Sequence, residues 1–124
     1  MEINEAVRAV PGLKITYDSG NVWFGGENAA DGFFRSRENI VHVHFKDWEL
    51  SFDDVNGLTA VDGGKYVMSF IGRGLVDHEN ILRVMRGSRY AGYVDLEYFG
   101  NKYETDTVLA ESLKCLLETL RRLG

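Results

Sequence analysis

The sequence predicts an α/β fold with parallel strands, and three observations support this prediction. Three short runs are rich in β-branched and aromatic residues, namely 13–17, 40–45 and 93–98. Segments with helical spacing of apolar residues lie between them, and this alternation favours parallel strands with right-handed crossovers. Each strand run also ends at an acid or an imidazole: Asp18, His44 or Glu97. At 124 residues and 44% hydrophobic, the chain fits one domain over 1–124.

The first half of the chain divides at turn-forming residues. Residues 4–10 are expected to form the end of a helix, which Pro11-Gly12 stops. The alternating run 13–17 predicts a strand that ends in the turn 18–21. Residues 28–37 predict a helix. Its inward side is expected to carry Ala29, Ala30, Phe33 and Phe34.

The middle of the chain is expected to hold a buried strand followed by a β-hairpin. Residues 40–45 read Ile-Val-His-Val-His-Phe, which is typical of a buried strand. The runs 48–52 and 65–70 flank a polar stretch that ends in Gly63-Gly64, and this pattern favours a hairpin insertion. A flexible loop, Gly72-Arg-Gly74, follows.

The last third predicts a helix, a strand and a long helix. Asp77 is expected to cap the first helix, and residues 93–98 form the strand. Thr105 or Asp106 is expected to cap the last helix. The apolar stripe of that helix is expected to be Leu109, Leu113, Leu116, Leu117 and Leu120.

Composition excludes several classes of protein. The net charge of −5 and the lack of a basic run argue against a nucleic-acid partner. No apolar run approaches the length of a membrane span, and residues 1–12 do not resemble a signal peptide. Cys115 is the only cysteine, so a reducing cytoplasmic location is expected.

The strand ends carry the candidate chemistry. In α/β folds the carboxyl ends of parallel strands build the active site, so Asp18, His44 and Glu97 are expected to converge. Two carboxylates and an imidazole suit a divalent ion such as Mn, Mg, Co or Zn. The alternative is that each is an isolated polar residue at a strand end. His78, in the first turn of a helix, is expected to be a solvated surface residue.

Four motifs resemble the xylose-isomerase-like (β/α)8 TIM barrel family, and they occur in the family's order. Asp18-Ser-Gly-Asn21 resembles the turn after the sixth strand, and residues 41–47, Val-His-Val-His-Phe-Lys-Asp, are similar to the seventh. Gly72-Arg-Gly74 resembles the following Gly-Glu-Gly loop, and residues 90–98 resemble the eighth strand. The resemblance covers nearly the whole chain. It implies the C-terminal part of such a barrel, about strands 6 to 8.

The resemblance implies a sugar isomerase or epimerase in which a divalent metal stabilises an enediolate during proton transfer. Asp18, His44 and Glu97 would bind the metal, and Glu97 would also act as acid or base. The family's fourth ligand, a Glu from a middle strand, would lie upstream, so the site is expected to be incomplete. A non-catalytic binding module is the alternative. An endonuclease-type hydrolase is disfavoured by the net charge and by Asn21, where that branch has His.

Other residues are candidates for contact with a small sugar substrate. Asn21 and Lys46 could reach substrate oxygens, although Lys46 could equally form an ion pair with Asp47 at the strand exit. Trp23, like Trp48 and Phe99, could wall a sugar pocket or pack in the core. The glycines at 72 and 74 resemble a phosphate-binding loop only weakly.

Strand alternation predicts a polar layer beneath the candidate ligands. Residues two apart share a face, so Thr16, His42 and Asp95 should lie one level below Asp18, His44 and Glu97. A buried imidazole needs a partner, so His42 is expected to hydrogen-bond Asp95 or Thr16 in a structural role. The alternative is that these groups are solvated separately. The open barrel predicts self-association or a complementing chain.

Overall fold

The computed structural model describes residues 2–53 and 55–124 and contains five helices and six strands within them. Strands and helices alternate along most of the chain, as the sequence predicts. In chain order the elements are α1 (Ile3–Ala9), β1 (Ile15–Asp18), α2 (Ser19–Phe24), α3 (Ala29–Ser36), β2 (Ile40–Phe45), β3 (Trp48–Leu50), β4 (Leu58–Thr59), β5 (Lys65–Met68), α4 (His78–Gly87), β6 (Tyr93–Leu96) and α5 (Thr105–Leu123).

The main sheet is parallel, with β2 between β1 and β6. The register pairs Asp18 with His44 across β1 and β2, and His44 with Asp95 across β2 and β6. The backbone N–H of Glu97 donates to the carbonyl of Phe45 at 2.9 Å and extends the ladder by one residue. The prediction of three parallel neighbours with Asp18, His44 and Glu97 at one end is therefore confirmed.

Helices cover one face of this sheet. Tyr17, Val43 and Phe45 point into the covered side and are buried, because alternate residues of a strand face the same way. Phe33 of α3 and Ile81 of α4 are fully buried in the same core. The opposite face carries the polar side chains of the three strands, so it is the face on which a site can form.

A second, antiparallel sheet follows β2. The two runs expected to form a hairpin pair with each other, with Trp48 opposite Met68 and Leu50 opposite Tyr66. β4 pairs with the other edge of β5, so the strand order is β3-β5-β4. β4 is not predicted from the sequence, because a strand of two exposed residues has no alternation of apolar and polar side chains.

Helix α3 differs from the expectation at Phe34, which was placed on the inward side. Phe34 is 52% exposed, whereas Phe33 is fully buried. Successive helical residues are about 100° apart, so only one of the two rings can face the core. The Arg37 guanidinium lies 4.0 Å from the centre of the Phe34 ring and covers part of it.

Helix α5 also buries a different stripe from the one expected. Its buried residues are Val108, Ser112, Leu116 and Thr119. Leu113, Leu117 and Leu120 of the expected stripe are exposed. The N-cap residue of the helix is Glu104, one residue before Thr105 and two before Asp106, the two expected caps. The spacing of the leucines indicates an apolar side of the helix, but it does not show which residues on that side pack against the sheet.

None of the helices in the described part of the chain is both long enough and apolar enough to cross a membrane.

Candidate metal centre

Asp18, His44 and Glu97 meet at the carboxyl ends of the three parallel strands. One ligand atom from each residue lies within 4.8 Å of the others. Asp18 ends β1 and also caps α2, because its Oδ1 accepts the backbone N–H of Asn21 at 2.9 Å. His44 Nδ1 lies 3.6 Å from Glu97 Oε2. The strand register thus brings together the three groups singled out in the sequence.

Lys46 places a buried ammonium among these groups. Its Nζ lies 3.3 Å from Asp18 Oδ2 and 3.2 Å from Glu97 Oε2, and it donates to Asn21 Oδ1 at 3.2 Å. Gly20 makes room for the lysine stem, because a Cβ at this position would lie 2.7 Å from Lys46 Cβ. Lys46 and Asn21 therefore reach the candidate site, and the single ammonium offsets one of the two carboxylate charges.

The expected histidine–carboxylate pair is present, but Asp95 lies level with His44 in the register and not with His42, so the pair runs diagonally between β2 and β6. His42 Nε2 and Asp95 Oδ2 are 2.8 Å apart, so the predicted hydrogen bond is present. The rings of His42 and His44 lie 5.1 Å apart on the same face, which confirms the alternation argument. Thr16 is the register partner of His42, but the imidazole bonds to Asp95. A structural role for this pair stays a prediction.

Asp47 points to the opposite side from Lys46, and its carboxylate is fully buried. It accepts four backbone N–H groups at 2.9–3.0 Å, those of Trp48, Gly72, Gly74 and Val76. A Cβ on Gly74 would lie 2.3 Å from Asp47 Oδ1. The Gly72-Arg-Gly74 loop therefore binds an internal carboxylate, which uses the amides that a phosphate would need. The alternative ion pair between Lys46 and Asp47 does not form, because Lys46 pairs with Asp18 and Glu97 while Asp47 lies beside His78.

His78 contradicts the expectation of a solvated surface residue, because only 2% of it is exposed. Its Nε2 lies 2.9 Å from Ser19 Oγ, and its Nδ1 lies 3.1 Å from the Val76 carbonyl. Ser19 Oγ in turn bridges the backbone of Lys46, accepting its N–H at 3.1 Å. The loop held by Asp47 folds over the start of α4, and this tertiary contact gave no signal in the local sequence.

The three aromatic candidates have different surroundings. Phe99 is exposed, and its ring centre lies 5.1 Å from Lys46 Nζ, so it borders the candidate site. Trp48 is buried, with its indole N–H donating to the Gly20 carbonyl at 3.0 Å. Trp23 packs edge-on against Tyr66, at 4.9 Å between ring centres. Of the three, Phe99 is best placed to contact a ligand at the metal centre.

The phenol of Tyr17 and the carboxyl group of Glu49 have shifted pKa values. Burial, with a smaller contribution from Asp18, raises the pKa of Tyr17. Burial alone would raise the pKa of Glu49, but hydrogen bonds from Lys102, Ser69 and Tyr103 outweigh it and lower this pKa below its usual 4.5. Tyr103 Oη donates to Glu49 Oε1 at 2.9 Å. Glu49 is thus ionised and anchors the segment after β6.

The donor set fits a divalent cation. Two carboxylates and one imidazole are ligands that Mn, Mg, Co and Zn accept, and three protein ligands suffice when water completes the shell. A cation entering among Asp18, His44 and Glu97 would meet the Lys46 ammonium, which must move aside. Every buried side-chain nitrogen or oxygen in the described part of the chain has a hydrogen-bond partner.

A parallel sheet covered by helices on one face, with acids and an imidazole converging at its carboxyl edge, defines an α/β protein with a strand-end site. The family model of the xylose isomerase-like TIM barrel matches residues 1–119. The chain belongs to this family, as the motifs at the strand ends indicate.

Similar proteins include two inosose dehydratases. The chain is 28% identical over 106 residues to inosose dehydratase of Clostridium perfringens, covering 81% of this chain and 33% of that protein. It is 28% identical over 91 residues to inosose dehydratase of Lacticaseibacillus casei, covering 68% of this chain and 30% of that one. The chain therefore spans about a third of the length of these relatives.

Solved structures show the same fold. A xylose isomerase domain protein from Planctomyces limnophilus superposes with a TM-score of 0.72 at 19% identity, over 97% of this chain and 41% of that one. The probable 3-DHS dehydratase AsbF from Bacillus anthracis, described as involved in petrobactin synthesis, gives a TM-score of 0.65 at 26% identity. That match covers 88% of this chain and 40% of the other.

Proposed function

We propose that this chain supplies the strand 6 to 8 part of an active site that removes a proton next to the carbonyl of a sugar or polyol derivative. The observation that carries the proposal is the convergence of Asp18, His44 and Glu97, with ligand atoms within 4.8 Å. The segment between β2 and α4, with its antiparallel sheet, would be an insertion in the barrel.

Isomerisation, epimerisation and dehydration share this first step. In each, a base removes a proton from the carbon beside a carbonyl, and the negative charge moves to oxygen. Isomerisation returns a proton to carbon, whereas dehydration expels a hydroxyl group from the next carbon. The names of the relatives, inosose dehydratase and 3-DHS dehydratase, favour dehydration as a second candidate reaction.

The residues of the site have different proposed roles. Glu97 is the base, because its carboxylate is partly exposed at the strand end. Lys46 and Asn21 hold polar groups of the substrate, since both reach the space beside Asp18. Asp18, His44 and Glu97 would hold a divalent ion, which when bound would stabilise negative charge on the substrate oxygens. Phe99 offers an apolar wall at the rim.

Catalysis would need the rest of a barrel. The chain spans about a third of the length of its inosose dehydratase relatives, and the family's fourth ligand would come from a strand outside these 124 residues. A complementing chain or self-association would supply cover for the open sheet. The exposed leucines of α5, Leu113, Leu117 and Leu120, offer a surface for such contact.

Calorimetric titration with Mn²⁺ tests the site directly. The wild type should bind weakly, and His44→Ala and Glu97→Gln should each lower the affinity at least tenfold. Each variant removes one of three ligands, and about 1.4 kcal/mol of binding free energy corresponds to tenfold. Asp106→Asn, a change at an exposed carboxylate of α5, is the control and should bind like the wild type. Equal binding by all four proteins would refute the proposed site.

A further inference from the structure

A second group of potential metal ligands lies on the same face of the sheet and reaches one level below the strand-end centre, with which it shares His44. It consists of His42, His44 and Asp95, and one ligand atom from each lies within 4.8 Å of the others. His42 and His44 are two residues apart on β2 and therefore share a face. Asp95 projects from the neighbouring strand β6, opposite His44 in the register.

The spacing of these atoms is close to that of a tetrahedral site. Metal bonds of about 2.0–2.1 Å place neighbouring ligand atoms about 3.3 Å apart. His42 Nε2 lies 2.8 Å from Asp95 Oδ2, and His44 Nε2 lies 4.0 Å from the same oxygen. These distances lie on either side of the required separation, so small side-chain rotations would form the site.

The two nitrogens of His44 face different groups. Its Nδ1 lies 3.6 Å from Glu97 Oε2, in the strand-end centre, whereas its Nε2 faces Asp95. A neutral imidazole has one nitrogen free to bind a metal, and the other carries a proton. A metal on Nε2 would leave Nδ1–H to donate toward Glu97. His44 can therefore serve either group of ligands, but only one at a time.

The two groups differ in donor type and in local charge. The strand-end group has two carboxylates and one imidazole, and the Lys46 ammonium lies within 3.3 Å of both acids. The lower group has two imidazoles and one carboxylate, with His42 partly exposed and Asp95 largely exposed. Imidazole favours Zn and other borderline metals, whereas carboxylates favour Mn and Mg.

We propose that His42, His44 and Asp95 form a second divalent-metal site, selective for zinc-type ions. A metal bound there to His44 Nε2 makes His44 unable to bind a metal at the strand-end centre. Zinc bound there would compete with manganese at Asp18, His44 and Glu97. The zinc site itself needs only the geometry of the open sheet face, whereas its exclusion of manganese rests on the metal centre of the proposed function.

Imidazole ¹⁵N NMR of the wild type gives the first test. The chain has three histidines, and His78 is buried away from this face, so its signals are an internal control. Adding Zn²⁺ alone should shift the Nε2 signals of both His42 and His44 and leave those of His78 in place. Zinc that shifts His44 through Nδ1 while leaving His42 unchanged would overturn the proposal without any variant.

Paired variants give the second test. His42→Ala and Asp95→Asn should each lower Zn²⁺ affinity at least tenfold and lower Mn²⁺ affinity by a smaller factor, because neither residue is a ligand of the strand-end centre. Asp18→Asn should do the reverse. Far-ultraviolet circular dichroism checks that each variant is folded, and Asp95→Asn keeps the size of the side chain it replaces.

The two proposals can fail separately. Unchanged Zn²⁺ affinity in a folded His42→Ala or Asp95→Asn protein would overturn the second site. If Asp18→Asn binds Mn²⁺ as tightly as the wild type while the zinc results are as expected, the strand-end centre is refuted and the second site is supported. Pre-loading with Zn²⁺ should weaken Mn²⁺ binding at least tenfold, and independent binding of the two ions would refute the shared use of His44.

Discussion

Asp47→Asn should destabilise the chain strongly, because the Asp47 carboxylate fixes the loop between β5 and α4. Its Oδ1 accepts the N–H groups of Trp48 and Val76, and its Oδ2 accepts those of Gly72 and Gly74. Asparagine has nearly the same shape, but it replaces one acceptor oxygen with an NH₂ group. In either orientation two backbone donors then face another donor.

The expected cost follows from these two lost acceptors. Leaving a buried donor without a partner costs about 1–3 kcal/mol, so the substitution should lower the free energy of unfolding by about 2–6 kcal/mol. For a chain of this size each kcal/mol lowers the melting temperature by about 4 °C. The melting temperature of Asp47→Asn should therefore fall by about 8–24 °C.

Thermal and urea unfolding measure this difference directly. Asp106→Asn makes the same chemical change at an exposed carboxylate in the first turn of α5 and should cost at most about 1 kcal/mol. A free energy of unfolding for Asp47→Asn within about 1 kcal/mol of the wild type would refute the reasoning. It would mean that the four amides find other partners when the carboxylate is lost.

Three further predictions test packing, ionisation and assembly. Gly20→Ala should cost about 1–3 kcal/mol of unfolding free energy, because its Cβ would lie 2.7 Å from Lys46 Cβ. Gly87→Ala, where a Cβ meets nothing within 4 Å in helix α4, should instead stabilise by up to about 1 kcal/mol. The pKa of Glu49 is lowered in the folded state, so ionised Glu49 stabilises the fold above pH 4.5, and this stabilisation is lost as the pH falls through the folded pKa. In urea unfolding from pH 6 to 3, Glu49→Gln should therefore show a smaller loss of unfolding free energy than the wild type. The wild type should self-associate in light scattering, and Leu117→Glu should weaken this association because it places a charge on the exposed leucine surface of α5. A wild type that stays monomeric at high concentration would contradict the predicted self-association.

The parallel sheet and its strand-end residues could be predicted because they depend on local patterns. The run 40–45 is β-rich over six residues, and the structure contains it as β2 without change. Asp77 was predicted to cap a helix, and its side chain accepts the N–H of Asn80. The His42–Asp95 bond needed only strand alternation and the order of neighbouring strands. Each of these follows from residue types and their spacing along the chain.

The features that could not be predicted depend on which surfaces meet. His78 looks polar and lies at a helix start, yet the loop held by Asp47 buries it against Ser19. The contact joins residues 59 positions apart, so no local pattern carries it. Phe34 was misplaced for the same reason, because a helix with two adjacent phenylalanines does not reveal which one faces the sheet.

Strand β2 and its exit join the candidate site to the scaffold that supports it. His42, His44 and Lys46 face the open side, where they meet Asp95, Glu97 and Asp18. Val43, Phe45 and Asp47 alternate with them and are fully buried or nearly so on the helical side. A slip of one residue would exchange these two sets, moving the imidazoles into the core and the apolar side chains into the site. The buried Phe45 and the four amides bound to Asp47 oppose such a slip. The core contacts of this strand therefore fix the direction of the candidate ligands, so packing and site chemistry depend on one register.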